Sequence, residues 1–128
     1  MTKYVIDAIA WIEYLDGTDA ECKVSEILEN NSEIFTCAVT LGEVVSKVAR
    51  MGKDAKVAYD VLMGNSQLVV VDEELSLEAG LLHCEMRKTA KDFGLANAYV
   101  LATARRLESK ILTGDPHFKL LKEAIMIK

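Results

Sequence analysis

The sequence predicts an α/β fold, with a mainly parallel sheet of about five strands and helices on both of its faces. Three observations predict it. Five short apolar runs recur along the chain. They are nearly all apolar rather than alternating, which is how strands covered on both faces read. Helical patterns separate them, so successive strands can run parallel through helical crossovers.

The first run, Lys3 to Asp7, ends on an aspartate. Ala8-Ile9-Ala10-Trp11-Ile12 follows and reads as a short helix behind Asp7. Ala20 to Glu29 is the next helical stretch, and Ile34 to Cys37 the second strand. Leu41, Val44, Val45 and Val48 make an i, i+3, i+4, i+7 stripe, the apolar face of a helix. Asp54 is placed to cap a further helix that runs to about Met63 and stops near Gly64. Leu68 to Val71 is the third strand, and Ser76 to Thr89 a helix carrying Leu77, Leu81 and Met86. Leu95 to Leu107, rich in Ala and Leu, is a strong helix former. Lys110 to Leu112 and Ala124 to Ile127 complete the strands. Between them Asp115-Pro116 is a helix-start signature, with Asp at the cap and Pro at the first helical position.

The 128 residues are expected to form a single domain, 1–128. A hydrophobic content of 51% leaves no compositional case for disorder. No apolar run approaches the roughly 20 residues that span a bilayer. The opening residues read straight into a strand with no signal-peptide pattern, so a cytoplasmic protein is expected. Cys22, Cys37 and Cys84 are odd in number and widely spaced, which argues against a disulfide framework or a structural zinc site and for buried thiols. The net charge of −5 excludes binding to nucleic acid by overall charge alone. Local basic surface remains, as in Lys47, Arg50, Lys53 and Lys56, in Arg87, Lys88 and Lys91, and in Arg105, Arg106 and Lys110. Solvated helix faces and helix ends are the plainer explanation of any one such cluster.

Asp7 and Asp115 both follow strand-like runs, so a parallel sheet would carry both at its carboxyl edge, where open α/β sheets bind ligands. Acidic groups brought together from distant parts of a chain commonly hold a hard metal ion. Each has a structural explanation too. Asp7 and Asp115 are good helix caps. Thr40-Leu41-Gly42-Glu43 matches a capping box, which would account for Glu43. His83 and His117 form no ligand pair, although His117, two residues after Asp115, could reach a bound phosphate. Trp11 and the tyrosines are expected to pack in the core. The chain contains no P-loop, dinucleotide or nucleophile-elbow motif.

Taken in order, these pieces resemble the PIN domain family, and within it the VapC-type toxins. The resemblance spans nearly the whole chain. It rests on Tyr4-Val5-Ile6-Asp7, on Thr40-Leu41-Gly42-Glu43-Val44, and above all on the stretch from Phe93 to Phe118, with its A-N-A-Y-V-L-A-T-A helix followed by K-I-L-T-G-D-P-H-F. It implies a three-layer α/β/α fold and a metal-dependent endoribonuclease that holds Mg²⁺ or Mn²⁺. The family's first acid maps onto Asp7, its second onto Glu43 and its last onto Asp115. The third falls on Asn97, where the family usually has Asp. Ile9 is a second departure, at a position where a small polar residue is commoner. Asn97 keeps a carbonyl that can coordinate a cation but loses the charge, which favours one metal ion over two and a weakened nuclease, or a silent fold that binds RNA or a protein. Asp92, just before the same helix, is a candidate substitute. The resemblance further implies an RNA substrate, a homodimer, and a small antitoxin whose tail crosses the acidic groove.

Overall fold

The computed structural model describes residues 2–30 and 32–128. Five strands form one parallel sheet: β1 (Lys3–Ile6), β2 (Glu33–Cys37), β3 (Gln67–Val69), β4 (Lys110–Thr113) and β5 (Ala124–Met126), in the order β3-β2-β1-β4-β5. The helices are α1 (Ala8–Asp16), α2 (Glu21–Glu29), α3 (Ala38–Arg50), α4 (Ala55–Asn65), α5 (Glu73–Arg87) and α6 (Leu95–Leu107), with a 3-10 turn at Pro116–Phe118.

Alternation along the strands builds the three layers. On one face Ile6 of β1 and Leu112 of β4 pack with Trp11, Val24, Val44 and Leu62 of the first four helices. On the other, Val5 and Ile111 pack with Leu75 of α5, Leu101 of α6, and the aromatic residues Phe93 and Phe118. Both faces are covered, which accounts for strands that read as unbroken apolar runs. Trp11 is fully buried, and its indole N–H donates to Thr36 Oγ1 at 3.2 Å, pinning α1 to β2.

Several expectations shift in detail. β3 spans Gln67–Val69 rather than Leu68 to Val71, because its ladder stops with Cys37 at the end of β2. Val70 and Val71 lie beyond it and are exposed. α5 starts at Glu73, three residues early, because Asp72 caps it by accepting from Leu75 N at 2.8 Å. Its Leu77 and Leu81 face solvent rather than the core. Of the cysteines only Cys37 is buried; Cys22 and Cys84 are exposed. Tyr59 is also exposed, under the Lys56 ammonium 5.0 Å away.

The most consequential correction concerns α3. It begins at Ala38, directly off β2, with no side-chain cap at Cys37. Thr40 is therefore inside the first turn, and its buried hydroxyl has no hydrogen-bond partner among the described residues. The capping box is not formed, so the local explanation for Glu43 falls away.

Candidate active site

The strand order reverses beside β1, which pairs with β2 on one side and β4 on the other. Such a switch point opens a crevice at the carboxyl ends of the strands. The register pairs Val5 with Ile111 and Ile6 with Leu112, so the next residues are Asp7 and Thr113. Asp7 N donates to Leu112 O at 3.1 Å, extending the ladder, and the chain then turns into α1. Asp7 caps that helix by accepting from Ala10 N at 2.8 Å.

Asp7 is buried, at 4% exposure, and the Thr113 hydroxyl donates to its second oxygen. Burial is the main influence on this carboxyl and pushes its pKa from 3.8 up to about 6; the hydrogen bonds from Thr113 and Ala10 oppose the rise, and the negative charge of Asp115 adds to it. The same Thr113 hydroxyl accepts from Asp115 N at 2.9 Å. One side chain thus ties the two aspartates together. In the sequence Thr113 is visible only as part of T-G-D, with no role of its own. Its signal is a hydroxyl at the end of an otherwise apolar strand, where a buried polar group needs a partner.

Asp115 caps the 3-10 turn, accepting from His117 N at 2.9 Å. The ring Nδ1 of His117 lies 2.7 Å from the same oxygen, Oδ1, so the imidazole is held by Asp115. The other oxygen, Oδ2, accepts from Asn97 Nδ2 at 3.1 Å. Asn97 sits in the first turn of α6, and the joint between that turn and the Asp115 loop is held from below. Phe93 and Phe118, both fully buried, meet edge to face with centroids 5.8 Å apart. Gly114 completes the fit: a Cβ there would meet Ile9 Cγ2 at 2.6 Å, so Ile9 stands where a side chain at position 114 would go.

Glu43 extends from α3 toward the same edge. It stays exposed and makes no hydrogen bond to the other acids; partial loss of water around it and then the charge of Asp115 raise its pKa. Asp115 therefore acts electrostatically on both Asp7 and Glu43. Asp92 is exposed in the turn before α6. Among the described residues, no three His, Cys, Asp or Glu side chains converge into a ready metal cage. The donor set nonetheless suits a hard cation, since its atoms are carboxylate and amide oxygens. Mg²⁺ commonly binds through one or two carboxylates plus waters. Neither Asp7 nor Glu43 pairs with a Lys or Arg among the described residues, and the basic side chain that meets Asp115 is His117.

Residues 4–124 match the family model of the PIN domain. The chain belongs to the PIN domain family. Solved structures share the fold of this PIN domain at low sequence identity. A toxin–antitoxin complex from Klebsiella pneumoniae superimposes with a TM-score of 0.76 at 14% identity, over 98% of both chains. VapBC2 from Rickettsia felis, bound to a DNA fragment from its promoter, gives 0.76 at 16% identity, over 98% of this chain and 97% of that one. VapC20 from Mycobacterium tuberculosis, a toxin that cleaves the sarcin–ricin loop, gives 0.74 at 15% identity, over 93% and 95%. No curated protein sequence matches the chain. No helix among the described residues is long and apolar enough to cross a membrane.

Proposed function

We propose that this PIN domain is a divalent-metal-dependent endoribonuclease and the toxin of a cytoplasmic toxin–antitoxin pair. The observation that carries the reading is the set Asp7, Asp115 and Glu43 at the sheet's switch point: loss of water and the charge of Asp115 raise Asp7 and Glu43, and none of the three pairs with a Lys or Arg among the described residues. A site that keeps uncompensated carboxylates together is costly without a cation. The toxin–antitoxin complexes among its structural neighbours support an antitoxin partner, and we extend that to a homodimer.

Asp7, Glu43 and Asp115 would hold Mg²⁺ or Mn²⁺. The ion, when bound, supplies an acidified water and charge stabilisation at the RNA phosphodiester. Thr113 fixes the carboxylate of Asp7 and the backbone of Asp115, so both present set oxygens. Asn97 is the neutral outer member and orients Asp115. With one negative charge fewer than four acids would give, the site favours one ion over two, and turnover is reduced.

A second reading has its own observation: the Asn97 amide occupies Oδ2 of Asp115. A silent PIN fold that binds RNA or a protein would keep this hydrogen bond permanently. RNA cleavage with Mn²⁺ or Mg²⁺, with and without chelator, separates the two. Cleavage that stops with chelator and is lost in Asp7→Asn is expected. Chelator-insensitive cleavage, or full activity in Asp7→Asn, would overturn the mechanism. RNA or partner binding without metal binding would favour the silent module.

A further inference from the structure

Between α1 and α3 lies a cleft of about 600 Å³, within the range of roughly 300–1,000 Å³ that small-ligand sites occupy. It opens from Glu43, so it is continuous with the acid cluster. Its floor is apolar, with Ile9 and Ile12 from α1, and one wall carries Lys47 and Arg50 from α3. These two cations lie four and seven residues beyond Glu43, about 6 and 10.5 Å along the helix axis at a rise of 1.5 Å per residue. They share its face.

Charge separates Lys47 and Arg50 from their neighbours in sequence. Lys53 pairs with Asp16 at 3.2 Å, and Lys56 with Asp60 at 2.6 Å. Neither Lys47 nor Arg50 meets a carboxylate among the described residues, and Ser46 Oγ accepts from Arg50 Nε at 3.3 Å. Glu13, the other acid on the cleft, is matched by Lys128 at 2.9 Å. The cleft therefore combines free positive charge in a row with an apolar floor, on a protein of net charge −5. A chain of phosphates with flat, weakly polar bases beside them has that complementarity, the phosphates to the cations and the base faces to the aliphatic floor.

We infer that single-stranded RNA runs from the acid cluster along this cleft, with Lys47 and Arg50 as positioning residues on the phosphates beyond the scissile one and Ile9 and Ile12 under the adjoining base. This rests on the ribonuclease reading for its substrate, but binding tests it without cleavage. Anisotropy of a short fluorescein-labelled single-stranded RNA is measured in chelator, in an Asp7→Asn background, across a salt series. Lys47→Ala with Arg50→Ala is expected to weaken binding roughly tenfold at low salt and to reduce the salt slope by about 1.4, two phosphates' worth. Lys110→Ala with Lys122→Ala, at the opposite edge of the sheet, is expected to leave both unchanged. In the active chain the first pair is expected to raise KM and spare kcat.

Unchanged affinity and slope in the Lys47/Arg50 pair, equal loss in the control pair, or no RNA binding at all would overturn the inference. So would retained RNA affinity with loss of binding to an acidic peptide, which would assign the cleft to a protein partner. Binding that depends on Lys47 and Arg50 in a chain that never cleaves would uphold this inference and sink the nuclease reading.

Discussion

At the scale of single residues, Asp7 and Asn97 carry opposite lessons. Asp7 is a carboxylate held against its preference. Its pKa in the fold is about 6, above the ordinary 3.8, so the folded state keeps a proton that the unfolded chain releases. Stability from this group is complete below pH 3.8, declines as pH rises to about 6, and stays lost above it. The shift corresponds to on the order of 3 kcal/mol. Asp7→Asn, with a carbonyl that can still cap α1, is predicted to flatten that slope and to raise the metal-free protein's stability near pH 7 by about 1–3 kcal/mol. Urea unfolding at pH 5 and pH 7.5 checks it; a destabilised variant would contradict it. Asn97 is predicted to behave in reverse. Asn97→Asp replaces a hydrogen bond to Asp115 with repulsion, and should cost about 1–2 kcal/mol without metal. Saturating Mn²⁺ should restore the loss, and cleavage should rise. Melting curves with and without Mn²⁺ read this directly.

At the scale of elements, the sequence could be read wherever the signal was local. Asp7, Asp54 and Asp115 were legible as caps, and each accepts the expected backbone N–H. The apolar strands were legible because both faces of the sheet are covered. Thr40-x-x-Glu43 misled, because a capping box assumes that a loop precedes the helix. Here the strand itself delivers the first turn at Ala38, and the local pattern loses to the end of the ladder. The difference is measurable. A true cap would lose about 1 kcal/mol on removal of the hydroxyl. Because the Thr40 hydroxyl has no partner, Thr40→Val is predicted to stay within about 0.5 kcal/mol of the parent or to gain stability. Chemical denaturation of the two proteins decides between them. Thr113, Phe93 and Phe118 were less legible. Their roles depend on contacts between segments far apart in the chain.

At the scale of the whole molecule, the order β3-β2-β1-β4-β5 does the assembling. It places the ends of β1 and β4 side by side although they are more than a hundred residues apart in sequence. The short motifs place Asp7 and Asp115 at one edge of a parallel sheet, but the strand order that makes β1 and β4 neighbours is not legible in them. What sequence could not supply was the balance of charge: Asp115 as the acid felt by both others, and Asn97 and His117 already bound to its two oxygens. We propose Asp115 as a metal ligand as well as a cap. Titration of Mn²⁺ into the parent and into Asp115→Asn by calorimetry tests it, because asparagine can still accept from His117 N but lacks the charge. The expected result is a binding isotherm for the parent that is abolished or weakened at least about tenfold in the variant, with both proteins folded. Equal Mn²⁺ binding by the two, or none by the parent, would contradict it.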